Sequence, residues 1–226
     1  LRTLISNRVG GVLVSVAQTT TSGAGFQALR RQGIPLVFFD RVCEDVEAGR
    51  VVVDDYGGAM RLVEHLIQRG YRNIAHVAGP ENTSIGRDRC RGYLDALKKH
   101  GLNGTGASII RGGFEEEDGV AALRRIHARG RMPDAIFAVN DPVARGVHAE
   151  IRQIGLEIPR DVAVAGFGDN RLSSYLDPPL TTVSQSPYEI GKIAAAMLLR
   201  RIDHPSHEPV CETEVIQTHL IVRRST

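Results

Sequence analysis

The sequence predicts an α/β fold built on parallel sheets with helices on both faces. Short apolar, β-branched runs recur along the 226 residues, and each is followed by a segment with helical apolar spacing. The junctions are punctuated by glycine, proline or acidic caps. Runs of that kind fit strands covered on both faces, and their alternation with helices implies parallel pairing.

Residues 1–8 read as the tail of a helix running into a strand, which makes the chain look like a fragment that starts mid-architecture. GVLVSV (11–16) is the first strand. The polar loop 18–22 leads to a helix over 25–32 that stops at Gly33, a typical C-terminal glycine. Residues 34–39 form the next strand, ending on Asp40 and Arg41, and 51–53 another, ending on Asp54 and Asp55. Asp55 can cap a helix over 56–69, whose Met60, Val63, Leu66 and Ile67 share one face. Strand 74–78 precedes the loop 79–86 and a helix over 87–100. Strand 108–110 exits through Gly112, Gly113 and Phe114.

Glu115, Glu116, Glu117 and Asp118 open the helix 115–128 and match the positive end of its dipole, so they read as helix-start charge and not as a metal site. Strand 135–139 is followed by Asn140 and Asp141, and Pro142 starts a helix that ends at Gly155. Residues 162–167 are a buried-type strand. Pro178 and Pro179 forbid helix and set an extended entry into 180–183. Ser186, Pro187 and Glu189 then supply a cap, a first-turn proline and a capping-box acid for a helix with Ile190, Ile193, Ala194, Met197 and Leu198 at apolar spacing. A polar loop over 203–208 and an extended segment over 215–222 close the chain.

Composition narrows the function classes. The length suffices for one large domain or two lobes of about a hundred residues each. The hydrophobic fraction of 42% is ordinary, and no apolar run approaches the ~20 residues of a membrane span, so no membrane partner is expected. The net charge of +2 is too small and diffuse for this chain alone to bind nucleic acid. Cys43, Cys90 and Cys211 lie far apart without a CxxC, which suits a reduced, cytoplasmic setting, and no export signal is visible. His204 and His207 fall in the polar loop and read as solvated. No metal and no cofactor are expected.

In parallel sheets, ligands sit beyond the carboxyl ends of the strands. The residues leaving those ends here are Asp40, Asp54, Asp55, the 80–85 loop, Phe114, Asn140, Asp141, Asp169 and Gln185, with Arg89 further into its helix. Carboxylates and amides that grip vicinal hydroxyls, with a ring to cover an apolar face, suit a sugar or a similar polar metabolite.

One motif competes. Gly23-Ala24-Gly25-Phe26-Gln27-Ala28 matches a relaxed GxGxxA, with Asp40 ending the next strand. That fingerprint needs its first glycine in the tight turn directly after the strand, and residues 17–22 intervene. A nucleotide-dependent enzyme is therefore the weaker reading. No P-loop, GxSxG or HExxH occurs.

The segments GGVLVS, GIPLVFFDR, VVVDDYGGAMRLVEHLIQRGYRNIAHVAGP, RDRCRGYLDALKKHGL, GGFEEEDG, PDAIFAVNDPVARGV, GLEIPRDVAVAGFGDN, YLDPPLTTVSQSPYEIG and VRRST occur in this order. Together they resemble the effector-binding core of the lactose-repressor (LacI/GalR) family of transcription regulators. The resemblance implies two periplasmic-binding-protein-like lobes, 1–53 plus 186–213 and 54–185 plus 214–226, with an interlobe cleft and the N-terminal part of the first lobe missing. It implies a sensor and not an enzyme, with Asp40, Thr83, Ile85, Arg89, Phe114, Asn140, Asp169 and Gln185 binding the effector. Asp54, Asp55, Ser184 and Ser186 would lie at crossovers.

It also implies a homodimer through Val143, Val147 and Tyr175, and control of operator DNA by a helix-turn-helix domain outside this chain. A periplasmic-type sugar-binding protein is the alternative with the same architecture. Many relatives carry an acid directly after GF or GY, whereas here Gly168 takes that place and Asp169 follows. A missing carboxylate beside Arg89 would leave that guanidinium open to an anion, so a sugar acid or sugar phosphate is expected as readily as a neutral sugar.

Overall fold

A computed structural model of the chain describes residues 1–102, 109–204 and 211–226. Ser108, His207 and most of the loop 203–208 lie outside them. The chain divides into two compact units: Leu1–Asp54, Asn82–Ser84 and Ser186–Gln217 form the first, and Asp55–Glu81, Ile85–Gln185 and Thr218–Thr226 the second.

The first unit contains helix α1 (Arg2–Ser6), strand β1 (Val12–Val14), α2 (Ala24–Arg31), β2 (Leu36–Phe39) and β3 (Gly49–Val53). Its sheet runs in the order β1-β2-β3-β9, with β9 (Thr213–Ile216) supplied from near the end of the chain, and every pairing is parallel. Phe26 on α2 meets Phe38 on β2 edge to face at 5.2 Å, and these two pack with Val12, Leu29 and Val46. Gly23 lies just before α2, where a Cβ would collide with Val46 at 2.6 Å. The glycine of the GxGxxA stretch is therefore explained by packing.

The second unit holds α3 (Asp55–Gln68), β4 (Ile74–Ala78), α4 (Ser84–Lys99, whose first residue groups with the first unit), β5 (Ile109–Arg111), α5 (Glu116–His127), β6 (Ala135–Ala138), α6 (Asp141–Gln153) and β7 (Ala163–Ala165). Its parallel sheet has the order β5-β4-β6-β7. A 3₁₀ turn at Arg171–Tyr175 and β8 (Thr182–Ser184) follow β7, and α7 (Pro187–Asp203) returns the chain to the first unit. The run Ala135 to Val139 is wholly buried, as its unbroken apolarity requires. Glu115 opens α5, its backbone N–H donating to Asp118 at 3.0 Å, so the acidic run does serve the helix start.

The final extended segment departs from expectation. It breaks at Gln217 and Thr218: β9 pairs with β3 in the first unit, whereas β10 (His219–Ile221) pairs antiparallel with β8 in the second. The third passage between units therefore lies four residues beyond the expected 213/214 boundary, because the backbone of β3 hydrogen-bonds residues 213–216. From there the C-terminus lines β7: the Ser225 hydroxyl donates to Val164 O at 2.6 Å and accepts from Thr181 N at 2.7 Å.

Val143 and Val147 also depart from expectation. Both are 0% exposed and sit in the core of the second unit with Leu123, Ile126 and Val164. The face of α6 that carries them packs inward, so they cannot form a dimer surface. Tyr175, 70% exposed beside Leu172, remains available.

Candidate functional site

The strand ends of the second unit gather five of the expected residues. Asn140 follows β6 and caps α6. Its Oδ1 accepts from Val143 N and its Nδ2 donates to Phe114 O, each at 2.9 Å. One amide thereby fixes the start of α6 and the exit of β5. The Phe114 ring lies over Gly79 at the end of β4, where a Cβ would meet it at 2.7 Å. Phe114 is half-buried and packs against the core of the second unit.

Gly168 and Asp169 leave β7 in left-handed conformations, φ +136° and +52°. The first suits only glycine without strain; the second is tolerated by aspartate. This is the local reason for Gly168: the turn needs its φ there. A Cβ at this position would stand 3.4 Å from Gln185 Oε1, with the Asp141 carboxylate next nearest. The Asp169 carboxylate accepts from Arg223 Nη2 at 2.7 Å, and the same guanidinium donates to Leu180 O at 2.9 Å.

Beneath the turn, Asp141 is fully buried. It accepts from Asn170 N at 2.7 Å, Ser173 Oγ at 2.6 Å and Thr182 Oγ1 at 2.6 Å. Its carboxylate organises the loop after β7 and ties it to β8.

Arg89 differs most from expectation. It is 2% exposed. Its Nε and Nη2 both reach Asp55 Oδ1 at 2.7 Å, and Nη1 donates to Val139 O at 2.6 Å. The guanidinium carbon sits 3.6 Å from the centre of the Phe167 ring. The glycine at 168 therefore does not leave this cation uncompensated: Asp55, the first residue of α3, supplies the carboxylate. The expected open anion site at Arg89 is corrected on this ground. Ile85, one turn earlier on α4, is buried.

In the first unit, Asp40 ends β2 at φ +59°, and its Oδ2 accepts from the Ser15 hydroxyl beyond β1 at 3.5 Å. Thr83 is buried within Asn82–Ser84, where Asn82 Nδ2 donates to Gln18 O at 3.0 Å. Ser186 precedes α7 at φ +51°, and its carbonyl accepts from Glu189 N and Ile190 N. The expected side-chain cap is replaced by backbone bonds.

Sequence reasoning missed Ser15 and Arg223, and it placed Asp55 at a crossover without seeing its partner. Asp141 was legible as a strand-end residue, but its burial beneath the turn and its hydroxyl and amide partners were not. The chemistry assembled is hydrogen bonding by carboxylates, amides and hydroxyls around one aromatic ring, with each cation compensated. Groups of that kind are able to hydrogen-bond hydroxyls. Among the described residues no cluster suited to a metal ion occurs, and no helix is long and apolar enough to cross a membrane.

Residues 63–226 match the periplasmic binding protein-like domain family. The regulator CelR of Thermobifida fusca is 34% identical over 201 residues, 88% of this chain and 58% of the relative. Among solved structures, a transcriptional regulator CelR–cellobiose complex is 32% identical with TM-score 0.91, covering 100% of this chain and 68% of that one. A LacI-family regulatory protein from Chloroflexus aggregans is 35% identical with TM-score 0.85, covering 99% and 79%. The chain spans about three fifths of the length of the first curated relatives it matches.

Proposed function

This chain belongs to the LacI family of transcriptional regulators, in which it forms the periplasmic binding protein-like effector core, and from that premise we propose that it senses a small sugar in the cytoplasm and controls DNA binding by a domain outside the chain. The observation that carries the effector class is the strand-end set of the second unit. Asn140, Asp169 and Gln185 supply hydroxyl-binding groups, and Phe114, lying over Gly79, supplies a flat apolar face. Within the first unit, Asp40 and Ser15 carry hydroxyl-binding groups of their own. The cellobiose held by a relative of the same fold supports a sugar over other polar metabolites.

The mechanism is a population shift. The effector stabilises one of two conformations by no more than its differential affinity for them. The loop after β7 suits such coupling, because Asp141 links it to Ser173 in the 3₁₀ turn that bears exposed Leu172 and Tyr175. Two copies of the chain meet through that turn. A mobility-shift titration of the full-length regulator on its own upstream DNA tests the proposal: neutral sugar should change the fraction bound. Sedimentation of the Tyr175→Asp variant should show weaker self-association.

A further inference from the structure

We propose that Asp55 is a specificity determinant: by occupying the Nε/Nη2 edge of Arg89, it makes the strand-end site of the second unit select uncharged sugars over sugar acids and sugar phosphates. This rests on the sugar-sensor reading above and deepens it.

Guanidinium geometry sets the constraint. Side-on recognition of a carboxylate or phosphate needs two parallel N–H donors, and an arginine offers such pairs along its edges. The Nε/Nη2 edge of Arg89 converges on Asp55 Oδ1 at 2.7 Å from each nitrogen. Nη1 is directed to Val139 O at 2.6 Å, and Phe167 covers one face of the plane at 3.6 Å. An incoming anion would have to displace a carboxylate whose side chain is only 8% exposed. Expelling that charge costs it the guanidinium partner that offsets its burial, a strongly unfavourable exchange.

The neighbouring charges act in the same direction. Asp169 is already matched by Arg223 at 2.7 Å, and Asp141 is buried on hydroxyl and amide donors without a cation. Among these residues, carboxylates outnumber guanidiniums, so the local field repels an anionic ligand and does not penalise a neutral one. Arg89 is then a positioning residue. It holds together α3, the carbonyl that precedes Asn140 and the ring that precedes Gly168.

The test uses calorimetry and thermal shift on the purified chain with two kinds of probe. Matched pairs, cellobiose with cellobionate and ribose with ribonate, report on sugar selectivity; inorganic sulfate at constant ionic strength reports on the cation alone. In the wild type, at least one neutral sugar should bind about tenfold or more tightly than its acid, and sulfate should give no saturable shift. Asp55→Asn, which keeps an acceptor but removes the charge, should gain saturable sulfate binding and narrow the neutral-to-acid ratio about tenfold. Wild-type binding of an acid as tightly as its neutral partner would overturn the assignment, as would a folded Asp55→Asn that gains no sulfate affinity. If no sugar of either kind binds, the sugar reading fails, while the sulfate comparison still decides the role of Asp55. If Asp55→Asn does not fold, the wild-type ratio and the wild-type sulfate response decide it.

Discussion

Asp141 accepts a 2.6 Å hydrogen bond from the hydroxyl of Ser173, thirty-two residues away, with both side chains fully buried. Thr182 Oγ1 and the Asn170 amide complete the shell, so one carboxylate holds the loop after β7, the 3₁₀ turn and β8 in register. Asp141→Ala would strand two buried hydroxyls, of Ser173 and Thr182, and the part-buried Asn170 amide at once. We expect a loss of about 3–5 kcal/mol of unfolding free energy, read from urea denaturation. A loss within the ordinary surface range would show that the shell is dispensable.

The pair Arg223–Asp169 stabilises the same loop from the C-terminal side. Both side chains are mostly shielded, at 20% and 27% exposure, so the ion pair is worth more than a surface one. Arg223→Ala should cost ~1–2 kcal/mol and weaken sugar binding. Arg224→Ala, at the neighbouring position, is the control. Equal effects from the two would contradict a specific role for Arg223.

Gly168→Ala isolates the backbone requirement. The nearest atom to the new Cβ would be 3.4 Å away, so crowding is minor and the cost arises from φ +136°. About 1–3 kcal/mol of destabilisation is expected, with the turn reshaped and sugar affinity reduced. An unchanged melting temperature and affinity would remove the turn from the binding account.

His76 sets an acid limit. It is fully buried on β4, stacked on Phe137 at 4.4 Å, with Nδ1 donating to the Phe137 carbonyl at 2.9 Å. Burial pushes its pKa from 6.5 down to about 4. Below pH 6.5 the unfolded chain takes up a proton that the folded chain refuses. The stabilisation is therefore complete above about pH 6.5 and is lost as pH falls towards 4, by roughly 3 kcal/mol in all. Denaturation midpoints should fall across that window in the wild type, and less steeply in His76→Gln. Parallel curves would assign the acid sensitivity to other groups.

How far the sequence reached follows from which signals are local. The runs that became β2, β4 and β6 were legible because a strand buried on both faces must be continuously apolar, and Asn140 was legible as the residue that follows one. The edge strand β9 was not: most of it is exposed, so its side chains carry no burial pattern and its partner β3 lies far back in the chain. Helical periodicity identified Val143 and Val147 as one face of α6 but could not say whether that face meets its own sheet or another subunit. Pairings such as Arg89 with Asp55 and Asp169 with Arg223 are chosen only when distant strands come together. From sequence, the effect of Gly168 on Arg89 was read from one neighbour, whereas the charge balance depends on all of them.

Binding of a neutral sugar through the strand-end residues is the central property to measure. Calorimetric titration of the wild type and of Phe114→Ala with cellobiose, ribose and other neutral sugars measures it. The predicted result is saturable binding of about one sugar per chain by the wild type, weakened about tenfold or more without the ring. Binding that is unchanged in Phe114→Ala, or no saturable heat from any neutral sugar while NAD(P) binds, would contradict it.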